Sequence, residues 1–348
     1  MRFRRRRCLV CYWHEGAFAA HLYPGGQAVS LPAIAAEILT AFEDWNTPQQ
    51  AAAALAHLDG RVIAQAITAL CQQELLVAEN SPEADLDARL AHQWRSWEPE
   101  APFFHYTTQD TITADTPEVY PDIEQHPPLF TEYPDAEHIP LPRPSELTAP
   151  LGEVLYTRRT HRDFTPAAVP LATLATLLAV CFAPVDYVDA GYFGTLYRRT
   201  SPAGGSRQEL DAYLAITNVE GLDAGIYHYQ ARDHSLDLLD KGFTADEATH
   251  LCSGQDWAGQ AAFLIVLVAV IERMRVKYRT PRCYRVSLLN AGHLGQTFAL
   301  AATALGLGPA QTGAFHDTAV AERLGVDNIA RTPVYVLAAG HPQRDTKV

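Results

Sequence analysis

The chain has 348 residues, 48% of them apolar, which is enough to bury more than one substantial core. Its 27 basic residues against 40 acidic ones leave a formal net charge of -13, which argues against a surface built to neutralise phosphates, so no nucleic acid is expected as partner. No stretch is long and apolar enough to span a membrane.

Met1 to Arg7 is basic, but the run from Cys8 to His14 is too short and too polar for the hydrophobic region of a signal peptide. Six cysteines stand at 8, 11, 71, 181, 252 and 283, most within apolar stretches, which reads as a reducing cytoplasm. Cys8 and Cys11 form a single CxxC with His14 and His21 nearby. A zinc site of this kind normally needs a second pair, so a plain strand is the preferred reading and no metal is expected.

Ser30 and Pro32 open a periodic run carrying Ile34, Ile38, Leu39 and Phe42, a first helix. Thr47-Pro48 caps a second. A third follows Gly60, with Val62, Ile63, Ile67 and Leu70 on one face, and gives way at Leu75-Leu76-Val77 to the start of a wing strand. This small winged-helix pattern over residues 1–80 resembles peptide-binding domains similar to the pyrroloquinoline-quinone chaperone PqqD, which accompany enzymes that mature ribosomally made peptides. The resemblance implies a domain that grips a leader peptide by strand addition beside the wing.

Residues 81–150 turn to proline, acid and aromatic side chains, as in Glu98-Pro99-Glu100-Ala101-Pro102, and read as a wrapping connector with little regular structure. Within it Phe103-Phe104-His105-Tyr106 is expected to be packed down. Residues 151–348 alternate helices and strands. A helix is predicted over Pro170 to Cys181, a strand over Leu210 to Asn218, a hairpin over Gly225 to Leu239 and a buried strand over Ala262 to Val270. An almost uniformly apolar helix from Val286 to Leu305 and a last strand at Pro333 to Ala339 follow. Such a helix must be buried all round. With a mixed central sheet, the fold class is α+β with a dimer interface.

Arg158-Arg159-Thr160-His161-Arg162-Asp163-Phe164 places three guanidinium forks and a hydroxyl at a predicted helix end, groups that suit phosphate. The stretch resembles the arginine-arginine-serine-x-arginine-x-phenylalanine signature of nitroreductase-like flavoproteins, with Thr160 in place of serine. The resemblance implies that Arg158, Arg159, Thr160 and Arg162 bind the phosphate and ribityl chain of flavin mononucleotide (FMN).

By the same resemblance, Ser201-Pro202-Ala203-Gly204-Gly205-Ser206-Arg207 would bring backbone amides to the flavin ring, with Ser201, Pro202, Gly204 and Gly205 in contact; glycines permit that approach. Gln311, Thr312 and Gly313 would lie over its other side, and Arg344 would add to the phosphate site.

Lys277-Tyr278 and Arg282-Cys283-Tyr284-Arg285 look like the lysine-tyrosine pair and the arginine-x-tyrosine-arginine run of SagB-type and related azoline oxidases. Converting a thiazoline or oxazoline to an azole removes a proton from one ring carbon and a hydride from its neighbour, and a tyrosine beside an ammonium can act as the base. The resemblance therefore implies a homodimeric, FMN-dependent peptide-maturation dehydrogenase that uses oxygen as acceptor. Its partners would be a precursor peptide and a cyclodehydratase or other maturation enzyme. Two other readings remain open at this stage: an NAD(P)H-dependent reductase of dehydroamino acids, and a non-catalytic scaffold of a maturation complex. His161, His228, His293 and His316 show no metal spacing and read as structural.

Overall fold

The computed structural model describes residues 1–110 and 126–343. Two compact units divide the chain, the first running to residue 112 and the second from residue 113.

The first unit begins with β1 (Phe3–Arg5), β2 (Leu9–His14), β3 (Ala17–Leu22) and β4 (Ala28–Leu31), followed by α1 (Ile34–Thr40), α2 (Pro48–Ala54), α3 (Gly60–Gln72) and β5 (Leu76–Ala78). The three helices form where the sequence places them. Thr47 closes a capping box with Gln50 at the start of α2, and Asp59 caps α3. Ile38, Leu39 and Phe42 pack against Ile63, Ile67 and Leu70 in one apolar core.

The strands differ from a simple wing. β2, β3 and β4 make an antiparallel sheet ahead of the helices, and β5 pairs antiparallel with β1 instead of folding back on a following strand. Cys8 lies just before β2 with its thiol against the Asp87 carbonyl, Cys11 is an exposed residue of β2, and the His21 ring is bonded to the Gly26 carbonyl at 3.0 Å.

The segment after residue 81, expected to have little regular structure, carries two helices of this same unit: α4 (Pro82–Gln93) and α5 (Glu100–Thr107). Ser81 caps α4, with Pro82 at its first position and Glu83 and Asp85 in its first turn, so the proline opens a helix rather than preventing one. Fully buried Asp87 fastens α4 to the strands, accepting from Arg4 Nη2 at 3.1 Å and from the backbone amides of Arg7 and Cys8 at 3.0 and 3.1 Å. As anticipated, Phe103 and Tyr106 are packed down, against the ring of Tyr23.

The second unit is built on a seven-stranded sheet. Its elements are β6 (Glu137–Pro140), α6 (Leu151–Thr157), α7 (Leu171–Phe182), β7 (Asp186–Asp189), β8 (Thr195–Arg198), β9 (Leu210–Ile216), β10 (Gly225–Gln230) and β11 (Ser235–Lys241). There follow α8 (Ala245–Leu251), α9 (Asp256–Gln260), β12 (Phe263–Val270), α10 (Ile271–Arg275), α11 (Arg282–Ala304), β13 (Gly308–Thr312), α12 (Asp317–Leu324) and β14 (Arg331–Gly340). The sheet order is β13-β14-β12-β9-β10-β11-β6.

The expected sheet was mixed, but every strand pairing in it is antiparallel, and the parallel element is an isolated bridge between Val169 and Val219. Each strand enters from the end opposite to its spatial neighbour, by non-helical connections for β9–β10 and β10–β11 and through helical connections elsewhere.

Both faces of the sheet are covered, which explains the unbroken apolar run of β12. Phe263, Ile265, Leu267 and Ala269 join the core under α7 and α11, while Leu264, Val266 and Val268 join the core under α8, α9 and α12.

The long helix α11 departs from its expected burial on all sides. Ser287, Asn290, Ala291, Leu294, Phe298 and Ala302 face the core, whereas Leu288 and Leu289 are 42% and 59% exposed. On α6, packed against α11, Leu151 and Leu155 are exposed as well. No helix among the described residues is long and apolar enough to cross a membrane.

Candidate active site

Arg158 is the C-cap of α6, where the chain leaves the helix for an extended course. The His161 amide then donates to the Pro309 carbonyl at 2.9 Å, Thr165 donates to His341 at 2.9 Å, and Gln343 donates back to Asp163 at 3.0 Å. The arginine segment is thus stitched to the start of β13 and the end of β14. A side chain on Gly308 would strike the His161 ring and Pro342, so this junction requires glycine.

Within the segment, Arg159 turns its guanidinium to the carbonyls of Tyr156 and Arg158, at 2.9 and 2.8 Å. The side chains of Arg158 and Arg162 make no hydrogen bond or ion pair among the described residues, although Arg158 is half-buried. Two uncommitted forks beside the exposed Thr160 hydroxyl are the donor set that phosphate takes. Arg344 lies outside the described residues.

The loop from Ser201 to Gln208 is pinned to one face of α11. Ser201 Oγ donates to Thr297 Oγ1 at 2.6 Å, the Pro202 carbonyl lies 3.2 Å from His293 Nδ1, and the Gly204 amide donates to Asn290 Oδ1 at 3.1 Å. Asn290 in turn donates to buried Glu209 at 2.9 Å. The Ser201 hydroxyl and the Gly204 amide are therefore spent on positioning the loop.

The loop's backbone is strained: Gly205, Ser206 and Gln208 all have left-handed φ, at 61°, 55° and 49°. Bonds from Ser206 Oγ and Gln208 Nε2 to the Tyr197 carbonyl, both 3.1 Å, hold it there.

Lys277 and Tyr278 follow α10, and the structure brings them onto this loop. A Cβ on Gly205 would lie 2.7 Å from Tyr278 Oη and 3.1 Å from Lys277 Cδ. Lys277 Nζ lies 5.5 Å from the centre of the Tyr278 ring and 5.8 Å from that of Phe193. The pair sits at the glycine loop although some seventy residues separate them in sequence.

Gln311 and Thr312, by contrast, point into the body of the unit. Gln311 Nε2 donates to the Gly295 carbonyl of α11 and its Oε1 accepts from Tyr335 at 2.9 Å, while Thr312 Oγ1 accepts from the Ala314 amide at 2.9 Å. Gly313 is exposed.

Sequence reasoning passed over Asn290, Thr297, Glu209 and Phe193, and gave the Arg207 side chain no role. Asn290 carried a usable signal, an amide side chain among the apolar residues Leu288, Leu289 and Ala291, since a buried amide must be satisfied by something specific.

A sheet with helices on both faces, a strained glycine loop pinned to a central helix and an arginine segment joined to the last strand make up an α+β domain. The nitroreductase family profile matches residues 155–341, and the chain belongs to this family of oxidoreductases, whose members typically bind flavin.

Among individual proteins, the chain is 30% identical over 166 residues to the trifolitoxin-processing protein TfxB of Rhizobium leguminosarum bv. trifolii, covering 47% of this chain and 44% of that one. It is 28% identical over 153 residues to the microcin B17-processing protein McbC of Escherichia coli, covering 42% and 56%. The chain thus spans about half the length of these curated relatives. The crystal structure of a nitroreductase candidate from Anabaena variabilis superposes with a TM-score of 0.57 at 25% identity, over 70% of this chain and 47% of that one.

Proposed function

We propose that the protein is a cytoplasmic, FMN-dependent dehydrogenase that oxidises thiazoline or oxazoline rings in a ribosomally made precursor peptide. The observation that carries this reading is the seating of Lys277 and Tyr278 on the strained glycine loop. Two relatives named as trifolitoxin-processing and microcin B17-processing proteins support it.

Arg158, Thr160 and Arg162 would hold the FMN phosphate, with Arg344 closing the site, and the Ser201–Gly205 loop and Gly313 would flank the ring. Bound FMN would supply a two-electron acceptor for the hydride, with oxygen as the final acceptor and peroxide as its product. Tyr278 Oη takes the proton from the adjacent ring carbon, and the Lys277 ammonium steadies the phenolate that does so. The ring loses one proton and one hydride, and so becomes aromatic.

A second copy of the chain would cover Leu151, Leu155, Leu288 and Leu289. All four are exposed in the single chain, on the mutually packed helices α6 and α11, which suits an interface. The N-terminal unit would hold the leader peptide. Beside β5 it has a cavity of about 300 Å³ lined by Phe3, Arg6, Cys71, Glu74, Leu76 and Val77, and β5 pairs with a single strand among the described residues. The cyclodehydratase that forms the ring is the expected enzyme partner.

The test is the visible spectrum of the purified protein, followed by release and identification of the chromophore and oxygen uptake with an azoline peptide. About one FMN per chain and peptide-dependent peroxide are expected, and Lys277→Ala and Tyr278→Phe should retain the FMN and lose the peroxide. Colourless protein that takes up no added FMN overturns the reading. Flavin that turns over only with NAD(P)H and a dehydroamino acid peptide replaces the oxidation with a reduction.

A further inference from the structure

Arg207 ends the glycine loop and is only 4% exposed. Its Nε donates to the Arg273 carbonyl at 2.9 Å, and its guanidinium lies 5.7 Å from the Phe193 ring, the same ring that faces the Lys277 ammonium at 5.8 Å. Phe193 therefore carries two cations, one from the loop and one from the lysine-tyrosine pair. Buried Nη1 of Arg207 finds no hydrogen-bond partner among the described residues, a costly arrangement for a guanidinium unless its charge serves something nearby. Two residues earlier, Gly205 supports Tyr278 Oη.

We propose that Arg207 is a positioning residue for Tyr278: anchored on the Arg273 carbonyl at the end of the loop that carries Gly205, its guanidinium adds a second cation to that of Lys277 and stabilises the phenolate. The inference rests on the proposed role of Tyr278 as base. Burial lowers the basicity of Arg207, while Tyr278 and Glu209 act in the opposite sense, so the two side chains are in electrostatic contact.

Arg207 is in electrostatic reach of Tyr278, of Glu209 at the end of the loop and of Arg273 from α10; Cys283 at the start of α11 in turn faces Glu209, and Lys277 lies beside Tyr278 on its own segment. The buried guanidinium adds a second cation to the Lys277 ammonium, and its bond to the Arg273 carbonyl of α10 fixes it in place.

The experiment is site-resolved nitration of Tyr278 by tetranitromethane, a reagent that attacks phenolate, followed across pH by peptide mass mapping of the full-length protein. Half-buried Tyr278 is within the reagent's reach. Arg207→Gln keeps a donor for the Arg273 carbonyl and removes the charge; it should raise the midpoint by about one pH unit, a rate near tenfold lower at pH 8. Arg207→Lys should restore most of it. Glu209→Gln, which leaves Arg207 in place and removes the opposing anion, should move the midpoint down, and it serves if Arg207→Gln does not fold.

Unchanged midpoints in the folded variants overturn the proposal. The readout needs neither flavin nor peptide. A coupled Tyr278 in flavin-free protein therefore leaves this inference standing and removes the proposed function, whereas flavin-loaded protein with an uncoupled Tyr278 does the reverse.

Discussion

Arg273 and Asp211 form a buried ion pair, with Nη1 2.6 Å from Oδ1, that ties α10 to the central strand β9. Thr131 donates to the other carboxylate oxygen at 2.6 Å and accepts from Arg273 Nη2 at 3.1 Å, and the Pro128 carbonyl accepts from Arg273 Nε at 3.0 Å. The segment at 128–131, the sheet and the helix that leads into Lys277-Tyr278 are thus held by one polar knot.

Asp211→Asn should cost about 3–5 kcal/mol in urea unfolding at pH 7, because it leaves the Arg273 charge buried without its partner. Burial opposes ionisation of Asp211, yet Arg273, His228 and Thr131 together hold its carboxyl below the usual carboxylate range. Its contribution is therefore complete above the unfolded value of about 3.9 and disappears as pH falls through the lower folded value. The parent protein should lose stability steeply below about pH 4, and the variant should show a shallower slope there.

Gly205→Ala should destabilise by about 1–2 kcal/mol from the left-handed backbone alone. The larger effect should be on the site, since the new methyl would displace Tyr278 Oη. Loss of azoline oxidation is the expected result; full turnover would mean that the contact has no part in the chemistry.

Arg158→Ala combined with Arg162→Ala should abolish FMN retention and leave the melting temperature of flavin-free protein nearly unchanged, because neither side chain holds another described residue. Stoichiometric flavin in the double variant would place the phosphate elsewhere.

Leu288→Asp with Leu289→Asp should convert a dimer to a monomer in sedimentation velocity, as charges introduced into an apolar interface are left unpaired. Both side chains are exposed in the single chain, so its own core should be untouched. A monomeric parent would remove the interface outright.

Much of the fold was legible because local rules suffice for it. The capping box at Thr47, the apolar period through Ile63, Ile67 and Leu70, and the continuous run of β12 each specify their element with no knowledge of neighbours. The helix at Pro82 was legible too, in Ser81 and the acidic first turn, but proline density masked it. The partner of β5 was not, since β1 stands at the far end of the sequence that precedes it and no local residue encodes the pairing.

For the site, the sequence by itself determined the chemistry available: a run of arginines, a glycine-rich loop and a lysine next to a tyrosine. It could also mark Asn290 as anomalous. Only the tertiary structure decided that the lysine-tyrosine pair rests on Gly205, that Arg207 lies buried beside it, and that Gln311 is spent on Gly295 and Tyr335. Residue type sets what a group can donate or accept, whereas the groups that meet are set by the packing of distant segments into two shared cores.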